Sequence, residues 1–310
     1  MAFAGAESNV AASLALLGHQ AQYVTRLPVH MVGDAALNAI REFGIDTRFV
    51  LRGGKRVGTY FIEHGSSIRP TRVIYDREHS AIAEAEASEF PWEDILQGQD
   101  WFVATGITPA LSASCAEACQ SAMQQAHQRQ VLVAFDLNFR RTLWEKEAAR
   151  QTITPLLPYV DVLFFNVGSA ADVLNVHPQS HNHDWDSLIA ATKESAVAVF
   201  QSGNYRYVAL TVREHFSASE NNWAGLLYDG KQFFCSRQYH FQVVDRLGGG
   251  DAFMAGVIHG LALQWDLQNT IEFATAASAI KHTIPGDINI ASEAEILEVA
   301  EGDTSGRVKR

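Results

Sequence analysis

Cysteine is scarce in this chain, three residues in 310 (Cys115, Cys119 and Cys235), which excludes a disulfide framework as the source of its stability. Cys115 and Cys119 stand four apart in an alanine-rich stretch of helical spacing, with no further ligand types beside them. They read as packing residues in a reduced cytoplasm rather than as a redox or metal pair. Positive charge is short as well. Lysine and arginine number 24 against 35 aspartates and glutamates, a formal net charge of −11, which speaks against a nucleic-acid backbone or an anionic membrane as the main partner. No apolar stretch approaches the roughly 20 residues that cross a bilayer. The opening MAFAGAESNVAAS has neither the basic segment nor the long apolar core of a secretory signal, so the expected location is the cytoplasm. Repeats and low-complexity linkers are missing. So is GxxxxGK[ST], which removes the P-loop class, and the clustered signatures of protein kinases.

What is present is apolar residue, 47% of the chain, enough for one large α/β domain or two smaller ones. From about residue 100, short apolar runs alternate with amphipathic stretches. DWFVATG, VLVAFD, VDVLFFN and YRYVALTV read as strands, and 112–128 and 187–200 as helices. Strands apolar on both faces and separated by helices predict a parallel sheet covered on both sides. Residues 46–78 differ: short alternating runs, glycine turns and many charges suggest an antiparallel sheet with one wet face, a small lid on the α/β body. The last forty-odd residues read as mostly helical, with a break at Pro285-Gly286.

The densest chemical signal is RLGGGDAFMAGVIHGL, residues 246–261. A loop runs into a helix N-terminus, where free backbone N–H groups attract anions and glycine permits close approach. Asp251 beside such a site opposes simple anion binding. It makes sense as a base that takes a proton from an attacking hydroxyl while the amides hold a transferring phosphoryl group. An aspartate capping a helix after a flexible loop is the plainer alternative. Ala252, Gly256 and Gly260 recur on one helix face and predict that this helix lies close on the sheet. In FDLNFR, Asp136, Asn138 and Arg140 alternate; if the strand continues extended, all three point to one side at its C-terminal end, where open α/β sheets bind ligands. Arg77 and Arg140 suit a carboxylate through the guanidinium fork, or else form ordinary surface ion pairs. His177, His181 and His183 in HPQSHNHDWD could hold a metal, but Pro178 and the polar run favour an exposed loop. SASENN, 217–222, reads as a turn between strands.

Asp245-Arg246-Leu247-Gly248-Gly249-Gly250-Asp251-Ala252-Phe253 resembles the C-terminal signature of the ribokinase-like (PfkB) sugar kinases, in the version of the bacterial 2-keto-3-deoxygluconate kinase subgroup. GAESNVAASLALLG (5–18), RPTRVIYDREHSAIAEA (69–85), ATGITPAL (104–111), DLNFRRTLW (136–144), TVREHFSASENNWAGLLYD (211–229), KHTIPGD (281–287) and GDTSGRVKR (302–310) are similar to the same subgroup, in the same order over essentially the whole chain. The resemblance implies one ribokinase-like domain over 1–310: a three-layer α/β sandwich with a mostly parallel central sheet and the 46–78 lid. It implies an ATP-dependent, Mg²⁺-assisted kinase of a sugar acid, phosphorylating the 6-hydroxyl of 2-keto-3-deoxygluconate. Asp251 would be the base and Gly248, Gly249 and Gly250 the anion hole. Gly5, Asn9, Tyr60, Tyr75, Arg77 and Arg140 would hold the sugar acid, and Asn138, Asn166, Thr211, Arg213, Gly248 and Gly250 the nucleotide. No direct protein metal ligand is assigned. A kinase of a neutral sugar, or a non-catalytic ligand-binding relative, are the competing expectations, and a homo-oligomer is compatible with either.

Two departures stand out. Family members carry Asn-x-x-Glu near the phosphates; here Asn166-Val167-Gly168-Ser169 keeps the asparagine and lacks the acid, so Mg²⁺ would be held through water and phosphates or by another carboxylate. The glycine–asparagine loop also arrives at residue 5, about thirty residues earlier than in the family, which predicts a central strand missing and two strand edges exposed. Low stability and a tendency to associate are expected.

Overall fold

The computed structural model describes residues 2–180 and 184–306. The chain opens with α1 (Ala6–Leu16), β1 (Thr25–Leu27), α2 (Met31–Arg41), β2 (Val50–Arg52) and the hairpin β3 (Thr59–Glu63) and β4 (Arg72–Asp76). Then come α3 (Trp92–Ile95), β5 (Trp101–Thr105), α4 (Ala113–Gln128), β6 (Leu132–Asp136), α5 (Lys146–Ile153), β7 (Val162–Phe165) and α6 (Val167–Ser169). The rest is α7 (Trp185–Gln201), β8 (Tyr207–Ser217), β9 (Glu220–Tyr228), β10 (Phe233–Cys235), β11 (Tyr239–Gln242), α8 (Gly249–Ala262), α9 (Leu267–Lys281) and α10 (Glu293–Glu301).

The main sheet runs β10-β9-β8-β7-β6-β5, with β11 also paired to β9. β5, β6, β7 and β8 are parallel, and β9 turns back antiparallel through the polar segment read as a turn, which pairs Ser217 with Glu220. Both faces are dry, as the apolar runs require. Val133, Phe135 and Leu163 pack with α4 on one side; Ala134, Val162 and Phe164 pack with α1 and α8 on the other. Helix starts follow the side chains present: Ser112 accepts the Cys115 N–H at 3.1 Å and Asp184 accepts that of Ser187 at 3.0 Å, satisfying otherwise orphaned donors. Cys115 and Cys119 are buried thiols in α4.

The lid is narrower than its sequence pattern. Its antiparallel ladder joins β3 to β4 alone, whereas Val50–Arg52 pairs in parallel with β1. The charged alternation reflects a hairpin with one solvated face; the run at 50–52 is instead closed over by Leu27, Ala36 and Leu37.

Beside β5 the main sheet stops. Leu132 donates its N–H to Asp100 and Gly106 to Asp136, so the even positions of β5 turn their backbone groups to β6, and Trp101, Val103 and Thr105 turn theirs outward. Thr105 N–H is taken by the Glu7 carboxylate at 3.1 Å. Between this edge and the chain leading into β1 lies a cleft of about 1280 Å³, lined by Val10 and Leu14 of α1, Trp101 to Ala104 of β5, Tyr23 and Val24, and Ile258 and Leu261 of α8. Among the described residues no helix is long and apolar enough to cross a membrane.

Candidate active site

The glycine turn is built as its sequence suggests. Gly248 sits at φ 72°, left-handed, as the N-cap of α8. A Cβ there would lie 1.7 Å from the Asp287 carbonyl oxygen, so only glycine fits. The first-turn N–H groups of Gly249, Gly250 and Asp251 are unclaimed by the helix and open to an anion.

Asp251 stands in the first turn of α8, and its Oδ2 accepts the Asn9 side-chain N–H at 2.7 Å. It is therefore held by α1, 242 residues away in the chain, rather than used as a local cap. Burial pushes its carboxyl up to about 7. The Asp136 and Glu7 carboxylates push the same way, and Asn9 and Arg140 oppose them. A carboxylate with that affinity is tuned to accept a proton near neutrality.

Gly5 caps α1, with its N–H 3.4 Å from the Asn9 Oδ1. Tyr60 and Tyr75 face each other across the lid hairpin, and the Arg77 guanidinium lies over both rings, 5.6 Å and 4.6 Å from their centroids. Tyr60 donates its hydroxyl to Asp287 Oδ2 at 2.7 Å, fastening the lid to the loop beside Gly248. Its phenol is shifted upward by burial and by the Asp287 carboxylate, with Asp251 adding to the effect. It therefore stays protonated as a donor.

Arg140 reaches the site by a different route from the one its alternation suggests. β6 ends at Asp136, and Asn138 adopts φ 37° with its N–H donated to Asp136 Oδ1 at 2.9 Å. The chain turns instead of continuing extended, because the aspartate side chain offers the backbone an acceptor two residues on. The Arg140 charge nevertheless acts on both Asp136 and Asp251. Neither Arg77 nor Arg140 forms a salt bridge among the described residues, whereas neighbours such as Arg56 and Arg141 are paired.

On the nucleotide side the assignments are less convergent. Asn166 caps α6, its Oδ1 accepting the Ser169 N–H at 2.9 Å. Arg213 on β8 has its proton affinity lowered by burial of its guanidinium and, after that, by the charge of Arg246 in the glycine loop. Thr211 is half-buried in the β8–β9 ladder. Gly256 and Gly260 serve α9, not the sheet: added Cβ atoms would meet Ala274 Cα at 2.5 Å and Thr270 Oγ1 at 2.6 Å. His181 and His183 lie outside the described residues, and His177 is an exposed loop residue beside Asn175. Among the described residues no group of three or more His, Cys, Asp or Glu could hold a metal.

Three residues of the site were not singled out by the sequence pattern. Glu7 gathers Thr105 N–H, Thr105 Oγ1 and Thr108 Oγ1, and its place inside GAESN was the available hint. Asp287 and Lys281 are the two ends of KHTIPGD, a segment quoted for its resemblance but with no role assigned to either residue.

An anion-binding helix N-terminus, a carboxylate tuned near neutrality and a hairpin lid on an α/β sandwich define a kinase of small hydroxylated substrates. The chain belongs to the pfkB family of carbohydrate kinases, whose pattern matches residues 1–294. A 2-dehydro-3-deoxygluconokinase structure from Thermotoga maritima superposes with a TM-score of 0.91 at 41% identity, covering 96% of this chain and 90% of that one. A 2-dehydro-3-deoxygalactonokinase from Haloferax volcanii is 31% identical over 98% of this chain and 89% of its own length. A 2-dehydro-3-deoxygluconokinase from Bacillus subtilis is 26% identical over 92% and 82%.

Proposed function

We propose that this chain transfers the γ-phosphoryl group of ATP to the 6-hydroxyl of 2-keto-3-deoxygluconate, giving the 6-phosphate and ADP. The observation that carries the sugar-acid reading is two guanidinium groups without a salt-bridge partner among the described residues: Arg140, whose charge acts on Asp251, and Arg77, which lies over the lid tyrosines. A substrate carboxylate supplies the missing charge, and a fork matches it bidentately. Arg77 also holds Tyr60 and Tyr75 in register as a wall for the sugar.

The hydroxyl proton passes to Asp251 while the substrate oxygen bonds to the γ-phosphorus and the bond to the β-phosphate oxygen breaks. Gly249 and Gly250 N–H groups face the charge on the transferring group. Arg213 and Arg246 line the nucleotide's approach, with Thr211 and Asn138 beside it. Asn166, its oxygen engaged by Ser169, keeps its amide hydrogens for a phosphate. Mg²⁺ bound with ATP would neutralise phosphate charge. A cation that keeps most of its water needs one or two carboxylates, and Asp136, with one oxygen committed to Asn138, fits that role.

A coupled ADP-release assay tests this with 2-keto-3-deoxygluconate, its C4 epimer (the galactonate named for the Haloferax relative), and fructose or ribose. We expect turnover of the acids, and Arg77→Ala and Arg140→Ala to raise KM for them about tenfold or more, as loss of a charged fork should. Equal turnover of neutral sugars, or equal effects of both variants on acids and neutral sugars, overturns the assignment.

A further inference from the structure

Lys281, at the end of α9, is fully buried (0% exposed). Its ammonium donates to the Ile284 carbonyl at 2.9 Å. Burial lowers its proton affinity, while the Asp245, Asp287 and Asp251 carboxylates, in that order, hold it up. The reaction derived above gives this group no task, and a buried ammonium is costly unless paired.

Its neighbours suggest one. Asp245, 7% exposed, clamps two turns: Oδ1 accepts the Leu247 N–H at 3.1 Å and Oδ2 the Gly286 N–H at 3.0 Å. The 284–287 turn is thereby pressed onto the glycine turn, with the Asp287 carbonyl against Gly248. Val244 and Asp245 add their own N–H bonds to the His282 carbonyl at 2.8 Å and 3.2 Å. Three carboxylates therefore surround a turn whose work is to receive a phosphate. Unopposed, their charge would repel it.

We propose that Lys281 is the positioning residue of the glycine turn, its buried ammonium holding the 284–287 turn in place and cancelling the Asp245 charge beneath the phosphate site. This deepens the kinase reading and rests on it for its effect on turnover. The effect on nucleotide binding depends only on the turn being an anion site. The end of α9 favours a cation there, since helix C-termini carry partial negative charge.

The test compares Lys281→Met, Lys281→Ala and Lys281→Arg with the unaltered chain. We expect the methionine variant to lose kcat about 10²-fold, with sugar-acid KM changed by less than about threefold and ATP affinity reduced about tenfold, the size of effect that follows loss of preorganised charge at a phosphate site. Lys281→Arg retains more activity than Lys281→Met. In Lys281→Ala, methylammonium chloride restores about tenfold in kcat, while tetramethylammonium chloride at the same ionic strength does not, and the unaltered chain responds to neither. Methionine-variant kcat and ATP affinity within about twofold of the unaltered chain overturn the proposal. So does a loss in Lys281→Ala that tracks melting temperature and ignores methylammonium. If the unaltered chain phosphorylates no sugar acid, the substrate reading fails and the ATP affinities of the same variants still decide the role of Lys281. Should Lys281→Met fail to fold, Lys281→Ala prepared in methylammonium gives the same comparison.

Discussion

Asp251 must be buried enough to want a proton and ionised enough to take one. Desolvation raises its affinity from 3.8 to about 7, with Asp136 adding to the rise, and Asn9 and Arg140 keep it from going higher. In the proposed reaction Asp251 acts when deprotonated, so kcat/KM should climb with pH along a limb centred near 7. A limb centred near 4 would mean the carboxyl is not desolvated in the working enzyme. The same shift sets a stability cost. The folded value lies above the unfolded one, so the folded state holds the proton more tightly. The stabilisation this gives is complete below about pH 4 and is lost as pH rises through 7. Asp251→Asn removes the buried charge but keeps an acceptor for Asn9. It should lose turnover by orders of magnitude while gaining on the order of 1–3 kcal/mol at pH 8, a gain that shrinks by pH 5. Urea melts at both pH values beside single-turnover rates check this, and unchanged kcat would reduce Asp251 to a structural residue.

The α8–α9 pair is the element on which the site depends. α9 places Ser278, whose hydroxyl bonds the Gly249 carbonyl at 2.8 Å, and His282, whose ring fills the space beside Gly249. Gly256 and Gly260 let the two helices approach this closely. Gly256→Ala gains roughly 1 kcal/mol of helix propensity, but its methyl would sit 2.5 Å from Ala274 Cα, a backbone atom that cannot turn aside. Overpacking of this kind costs about 1–3 kcal/mol, so a net fall in urea midpoint is expected, together with weaker ATP binding as the glycine turn shifts. A raised midpoint would show the helices have room to spare. The spacing of the small residues was legible in the sequence; the surface they meet was not, because periodicity reports a face and not its partner.

At the scale of the whole molecule, the cleft beside β5 dominates. Trp101, Phe102 and Val103 are only half-buried, although the next strand inward has Val133, Ala134 and Phe135 at 0% exposure. An edge with unpaired backbone groups and apolar side chains costs stability and invites association. Total stability of a domain is about 5–15 kcal/mol, so a few such groups matter. Joining an extended apolar segment upstream of residue 1, long enough to lie along β5, should raise the melting temperature by several degrees and reduce concentration-dependent light scattering. An unchanged, cooperative melt at high temperature would show that the sheet closes this edge by other means.

The apolar runs at 132–136 and 162–165 could only be strands buried on both faces, and the loop-to-helix step at Gly248 to Asp251 could only be an anion site or a cap. Chain-local chemistry decides these: hydrophobic period, absence of Cβ, free N–H groups. What the Asp251 side chain bonds was a long-range matter, since its partner is Asn9 from the first helix. Arg140 shows the same division, its residue type legible and its path not, since the Asp136 side chain turned the backbone that alternation would have kept straight. Lys281 and Asp287 lie in a recognisable block, KHTIPGD, but no periodicity or spacing in it marks a role for either. Their chemistry arises because folding brings the end of α9, the 284–287 turn and the lid tyrosine around one glycine, and electrostatic neighbours in space leave no periodicity in the chain.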